Sequence, residues 1–322
     1  MQRGDGQTRD IGRWGALSTV AGSMLGIGIF LVPPVVSEIL PTNIGFFSVW
    51  IFAGIAALSG AVSYAELGGM FPRAGGDYVF QDEAYGKTFA FASGWVLFAG
   101  IFTGSIAAVA VPLCEHQIAT LAEAVGLGFA PKRPVGVLGL TQADVVGMAI
   151  VGAVTAINTL RVRISSAVQT LVTLLPIAAL AVGGVLILLF GDVAGAKAAT
   201  GTAPASVGPY FSAWVEAYTA VYFAYSGWNA VIYVAGEVEK PGEVIPFGLV
   251  GGTVTVTLVY LILCAAFVTA LGFGGLAEAV EAGTAAARSV AGPSAGMFVT
   301  TIIAVGMLAS VNATVLGGAR VC

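Results

Sequence analysis

Charge is what this sequence has least of. Of its 322 residues only 13 are Lys or Arg and 17 are Asp or Glu, 9% in all, where a soluble domain carries about 25%. The net charge of -4 is small and dispersed, which argues against nucleic acid or another polyanion as a partner. There is one histidine, His116, and one histidine cannot make a haem or di-histidine metal site alone. No HExxH motif and no carboxylate pair within an apolar segment supports a membrane enzyme, so no catalytic residue, metal or cofactor is expected. The three cysteines, Cys114, Cys264 and Cys322, have no metal or redox spacing; the first two read as packing residues. A cleavable signal peptide is not apparent either, because "MQRGDGQTRDIGRW" is polar and no A-x-A-like site follows it.

What the chain has instead is apolar length. It is 57% hydrophobic with a mean hydropathy of +0.94, and runs of roughly 20 apolar residues are long enough to span a bilayer as helices. Apolar windows fall at about Trp14 to Val36, Gly45 to Gly69, Phe89 to Leu113, Val145 to Leu160 and Val168 to Phe190. A second group covers Tyr210 to Val234, Phe247 to Leu271 and Gly296 to Leu316, giving an all-α polytopic membrane protein with eight expected spans. The stretches Glu115 to Ala143 and Gly272 to Pro293 read as excursions outside the membrane. Placing the N-terminus in the cytoplasm puts nine Lys and Arg inside and four outside, which favours that orientation. Glu66 and Glu216 are the deepest acids, each within about two turns of a span end, so no ionisable group sits clearly at a midplane. Recognition by backbone and neutral side chains is therefore expected.

The first window contains "VAGSMLGIGIF", Val20 to Phe30, with Gly22, Gly26 and Gly28 within seven residues and Pro33 and Pro34 just beyond. Each glycine costs roughly 1 kcal/mol of helix propensity relative to alanine. One reading is a GxxxG packing face made by Gly22 and Gly26. The other is an unwound break whose free amides, beside the positive end of the following half-helix, suit a carboxylate. The sixth window, "VYFAYSGWNAVIYVAGEVEKPGEVIP", is also interrupted, at Ser226-Gly227. Under the assigned orientation the two broken helices run antiparallel and five spans apart, the mark of an inverted-repeat secondary transporter with a midplane site. The second break would offer carbonyl oxygens to an ammonium group. A carboxylate site facing an ammonium site describes an α-amino acid.

At these residues the sequence resembles the amino acid–polyamine–organocation transporters, with the sixth-span motif most similar to the L-type and related branches. The segments that carry the resemblance are "GSMLGIGIF", "ELGGMFPRAGGDYVF", "FAYSGWNAVIYVAGEVEKPGEVIP" and "NATVLGGAR", and it covers essentially the whole chain. It implies a LeuT-like fold of five-plus-five spans. Residues 1–13 would then be a cytoplasmic tail, 14–190 the first repeat, 191–209 a loop and 210–322 an incomplete second repeat. It implies that Ser23, Met24, Gly26, Ile27 and Gly28 bind the substrate carboxylate through the backbone. Carbonyls of Phe223, Ala224 and Ser226 would take the amino group, and Asn229 would touch the substrate side chain. Phe223 would also close over the substrate from outside, while Arg73 and Glu237 would form a cytoplasmic gate. The partners implied are an amino acid, the lipid bilayer of the cell membrane and a coupling ion, H+ or Na+.

The departures shape the expectation further. Ile27 stands where many relatives carry serine. Pro176 stands where several branches place a lysine associated with proton coupling, which favours exchange or facilitated uptake over lysine-based symport. A sodium site between the first and eighth spans, using Ser310, remains open. Family members usually have twelve spans, so a chain ending at Cys322 is expected to be a fragment or a truncated product. The rival expectations are a passive channel and a non-transporting remnant or scaffold. A channel would need a repeated filter or charged rings that the sequence does not show.

Overall fold

A computed structural model describes residues 9–136, 139–159, 166–190 and 207–319. Arg3, Arg161, Arg163, Arg320 and residues 191–206 of the expected loop lie outside these. The architecture is a helical bundle in which helices occupy all eight apolar windows. Among the described residues five helices are long and apolar enough to cross a membrane, or six if a bent pair, Arg13–Met24 with Gly28–Ile39, counts as one span. The chain is an all-α polytopic membrane protein. Its outward surface carries Phe52, Ile55, Phe91, Trp95, Leu186 and Phe190 exposed, which is what a lipid-facing surface requires.

The bent pair is α1 (Arg13–Met24) and α2 (Gly28–Ile39), meeting at 44°. Glycine, not proline, places the bend: α2 continues through both Pro33 and Pro34 to Ile39. α3 (Asn43–Met70) follows directly, started by Thr42, whose hydroxyl accepts from the Gly45 amide at 3.2 Å. Its buried face is mostly small: Gly45, Ala53, Gly54, Ala57, Ala61, Ala65 and Gly68 accompany Phe46, Val49 and Trp50. Small residues let helices approach closely in a membrane, where apolar burial alone cannot drive association.

Beyond α3, the short α4 (Asp77–Tyr85) leads into a 38-residue rod, Lys87–Ala124. The rod comprises α5 (Lys87–Val96), α6 (Thr103–Pro112) and α7 (Ala119–Ala124), joined by π-helical turns at Leu97–Phe102 and Leu113–Ile118. It therefore runs past the expected end at Leu113. The second π turn buries Cys114 and Gln117, so polar Glu115, His116 and Gln117 do not stop the helix. A two-stranded antiparallel pair, β1 (Pro134–Val135) and β2 (Leu140–Thr141), closes the loop before α8 (Gln142–Thr159). α9 (Ser166–Phe190) and α10 (Val207–Ala224) come next.

α11 (Pro241–Ala277) is the centre of the bundle. Against α1 it presents Gly248 and Gly252, where an added methyl would lie 2.8 Å from the Ala16 side chain and 2.7 Å from that of Val20. Against α3 the glycines are reversed: Gly54 faces Thr257 at 2.6 Å and Gly68 faces Ile245 at 2.8 Å. α12 (Ala282–Gly318) completes the order. The stretch from Gly272 to Pro293, expected as an excursion, is helical up to Ala277 and again from Ala282. α11 kinks at Gly272 (φ 66°) and α12 at Gly292 (φ 81°), and the pieces between fold back onto the bundle. Phe273, Leu276, Ala282 and Ala286 are buried there, and the Phe273 ring meets Phe46 edge-on at 5.6 Å.

Candidate binding site

The first break spans 25–27. Leu25 still donates to Ala21 and Gly26 turns back onto the Met24 carbonyl at 2.8 Å. From Ile27 the chain winds again, with Phe30 and Leu31 donating to the Ile27 carbonyl. The amides of Ile27, Gly28 and Ile29 find no backbone acceptor among the described residues. These are the orphan donors that any helix start leaves. Here they are buried together with the Met24 side chain, whereas Ser23 and Gly26 are half-buried.

The second break begins where α10 stops at Ala224. Ser226 donates to the Phe223 carbonyl at 3.1 Å, and Gly227 takes a positive φ of 94° that turns the chain. The chain then continues as a 3₁₀ segment, Ala230–Glu237, instead of a second α-helical half. The carbonyls of Tyr225 and Ser226 receive no backbone amide among the described residues. Ser226 and Phe223 are exposed, and Asn229 is half-buried.

The two breaks lie against each other. A methyl added at Gly28 would sit 2.6 Å from Cα of Ala224, and one at Gly227 would sit 2.7 Å from the Ser23 carbonyl oxygen. Both approaches are to backbone, so only glycine fits. A third element ties them. Tyr260 on α11, fully buried, donates its hydroxyl toward the Met24 carbonyl (2.6 Å) and the Ala224 carbonyl (2.9 Å). Its ring is held edge-on by Trp50 and Tyr225. One proton thus serves two carbonyls, one from each break. Sequence reasoning missed Tyr260, because nothing in an apolar span marks which tyrosine will meet two distant carbonyls.

Comparison with known proteins supplies the family. The amino acid permease family profile matches residues 11–322. The chain belongs to the amino acid permease family. It is 28% identical to the serine/threonine exchanger SteT of Bacillus subtilis over 322 residues, covering 98% of this chain and 68% of that protein. It is 27% identical to the b(0,+)-type amino acid transporter 1 of Rattus norvegicus, over 82% of this chain and 52% of that protein. Solute carrier family 7 member 13 of Mus musculus is 29% identical over 82% of this chain and 53% of its own length. The chain therefore spans about half the length of those last two relatives. The family and these relatives are transporters, not enzymes.

A methyl at Gly26 would meet only the Ser310 hydroxyl at 3.8 Å, whereas the close approaches of α11 to α1 fall at Ala16 and Val20. Gly22 and Gly26 line an apolar recess with Phe30, Pro176, Ile177, Gly306 and Met307. Pro176 is thus a wall of that recess, and no charged side chain is among the residues lining it. Ser310 is buried, its hydroxyl 3.8 Å from where a methyl on Gly26 would lie. Arg73 is exposed and forms its ion pair with Glu83. The Glu237 carbonyl accepts from Ile11, and Glu239 donates back to Ile11, so the N-terminal segment straps the end of the 3₁₀ segment.

The polar residue that does hold this end together is Asp77, to which sequence reasoning assigned no role. It is 6% exposed. Tyr64, Tyr233 and Asn229 all direct hydrogen-bond donors at its carboxylate.

Proposed function

We propose that this protein is an amino-acid permease of the cell membrane, with a cytoplasmic N-terminus, that works by alternating access. The observation that carries the reading is the direct apposition of the two breaks, with orphan amides on one and free carbonyls on the other. The amides at Ile27 and Gly28, with Ser23, Met24 and Gly26 shaping the turn, receive the substrate carboxylate at the start of α2. The carbonyls of Phe223, Ala224 and Ser226 receive the ammonium group. Phe223 already accepts from the Ser226 amide and Ala224 from Tyr260, so each offers one remaining lone pair, while the Ser226 carbonyl receives no backbone amide among the described residues. Asn229, two residues beyond Gly227, is assigned to the substrate side chain. Phe223, exposed at the end of α10, is the lid, and Arg73 and Glu237 belong to the cytoplasmic side.

Exchange of neutral amino acids is the mode favoured. The apolar wall at Pro176 supplies no proton carrier beside the first break, and the relative SteT is named a serine/threonine exchanger. A sodium ion near Ser310 and Gly26 is the alternative coupling. The rocking frame for alternating access would be the inverted five-plus-five repeat that the resemblance implies, of which this sequence carries the first repeat and part of the second. The test is reconstitution into liposomes loaded with unlabelled serine, followed by uptake of labelled serine with pH and sodium varied independently. Counter-flow that needs internal amino acid and ignores both gradients is the expected result. Phe223→Ala should cut that exchange sharply. Uptake into empty liposomes at the same rate, or full activity in Phe223→Ala, would refute the exchange mode and the lid respectively.

A further inference from the structure

The contacts of Asp77 join the proposed pocket to the far end of the sixth span. Its Oδ1 accepts from the Tyr64 hydroxyl on α3. Its Oδ2 accepts from the Tyr233 hydroxyl in the 3₁₀ segment and, at 3.4 Å, from the Asn229 amide at that segment's start. The ion pairs among the described residues are Arg13–Glu243 and Arg73–Glu83, and neither includes Asp77. A buried carboxylate without a cation is costly unless neutral donors satisfy it. These donors are held in place. Gly76 (φ 56°) lies against the Tyr233 ring, where an added methyl would overlap the ring atoms, and Phe102 meets the same ring edge-on. Tyr64 packs edge-on against Phe80 and Trp228.

We propose that Asp77 is a positioning residue that latches the 3₁₀ segment closed and senses the pocket through Asn229. Asn229 lies two residues beyond Gly227, which rests on the Ser23 carbonyl of the first break. Its amide makes the longest of the contacts to Asp77, and it also donates to the Tyr233 hydroxyl at 3.3 Å. A substrate side chain that takes the Asn229 amide removes one donor from Asp77 and loosens Tyr233. The 3₁₀ segment can then leave α3 and α4 and open the N-terminal end of the bundle. The coupling through Asn229 rests on the pocket proposed above, whereas the latch itself does not.

The test uses the protein with every native cysteine, Cys114, Cys264 and Cys322 among them, replaced by Ala and a single probe, Ala235→Cys, at a buried position of the segment. The rate of modification by a hydrophilic maleimide reports opening of the segment, without any need for transport. Asp77→Asn, Tyr64→Phe and Tyr233→Phe should each raise that rate about tenfold or more, because each weakens a hydrogen bond to a charged group. The tyrosine variants keep their rings, so they remain readable if Asp77→Asn fails to fold. Tyr64→Phe discriminates best, since it lies on α3 and not on the probed segment. Parent-like rates in both tyrosine variants would overturn the latch. Saturating serine should accelerate labelling of the parent, and Asn229→Ala should abolish that acceleration. Latch variants that respond while serine has no effect on the parent would overturn the coupling and count against the pocket. Intact serine exchange with no response in any latch variant would overturn this inference alone.

Discussion

Gly28→Ala tests the apposed breaks most directly, and Gly26→Ala is its control. At Gly28 the new methyl would lie 2.6 Å from Cα and 2.7 Å from Cβ of Ala224. Carbon atoms in good contact stand about 3.5–4.0 Å apart, so the overlap is about 1 Å. The obstacle is backbone and Cβ at the last residue of α10, which no rotamer change can move aside. Relief requires the start of α2 to withdraw from the end of α10 by a similar distance. Overpacking of this kind costs about 1–3 kcal/mol. More importantly, it separates the orphan amides from the carbonyls of 224–226, which must hold the two ends of one small zwitterion. Hydrogen bonds to charged groups contribute about 1.5–3 kcal/mol each, so weakening one or two should lower apparent substrate affinity about 10- to 100-fold. At Gly26 the nearest atom to the added methyl is the Ser310 hydroxyl at 3.8 Å, an ordinary contact. Gly26→Ala should therefore stay within a few-fold of the parent. The assay is labelled-serine exchange across a concentration series in liposomes, with size-exclusion profiles of both variants. Parent-like affinity in a monodisperse Gly28→Ala protein would refute the claim that the breaks form one site.

Three further outcomes rest on named contacts. Gly227→Ala should fail at least as badly as Gly28→Ala, because it meets the Ser23 carbonyl at 2.7 Å and must also adopt a φ of 94°, a conformation costing roughly 1–2 kcal/mol for a residue with Cβ. Tyr260→Phe keeps the rings of Trp50 and Tyr225 packed but strips the Ala224 carbonyl of its donor, which should cost about 1–3 kcal/mol and lower the thermal midpoint in detergent. An unchanged midpoint would show that the shared proton is dispensable. At the start of α12, Glu281 caps the helix by accepting from the Gly283 amide (2.5 Å) and the Thr284 amide (3.0 Å). Burial pushes its carboxyl above the ordinary 4.5, outweighing those hydrogen bonds, which act the other way. The folded state therefore holds this proton more tightly than the unfolded chain does. Its contribution to stability is greatest below pH 4.5 and falls as pH rises to the raised value. Glu281→Gln should flatten that part of the thermal midpoint against pH, and an unchanged slope would refute it.

The segment from Val20 to Phe30 shows how far composition and spacing reach. Glycine content and apolar length are enough to place a spanning helix and a weak point within it, because propensity is local and the bilayer sets the length. The same reasoning locates the interruption at Ser226-Gly227, and motif order is enough to point to the family. It cannot say that Gly28 rather than Pro33 makes the critical approach, since that depends on where Ala224 comes to rest. Nor can it choose between a packing face and a break for Gly22 and Gly26. Gly26 falls within the break and both glycines line a recess, while α11 brings its own glycines, Gly248 and Gly252, to α1.

Charge patterning is least informative where residues far apart in the chain meet. The resemblance alone names Arg73 and Glu237 as gate residues, yet Arg73 pairs with Glu83, ten residues away. Asp77 reads as one more loop acid, and only folding brings it Tyr64, Tyr233 and Asn229. Tyr260 is hidden the same way, its hydroxyl reaching carbonyls 236 and 36 residues distant. The sequence by itself determined the membrane class, the helices and the two places where they come apart, since these depend on hydropathy and backbone propensity along a single segment. The tertiary structure alone decided which carbonyls are already taken, which acid is buried and which glycine cannot be replaced. Those properties belong to contacts between segments, and a hydrogen bond or a steric overlap exists only once both partners are in place.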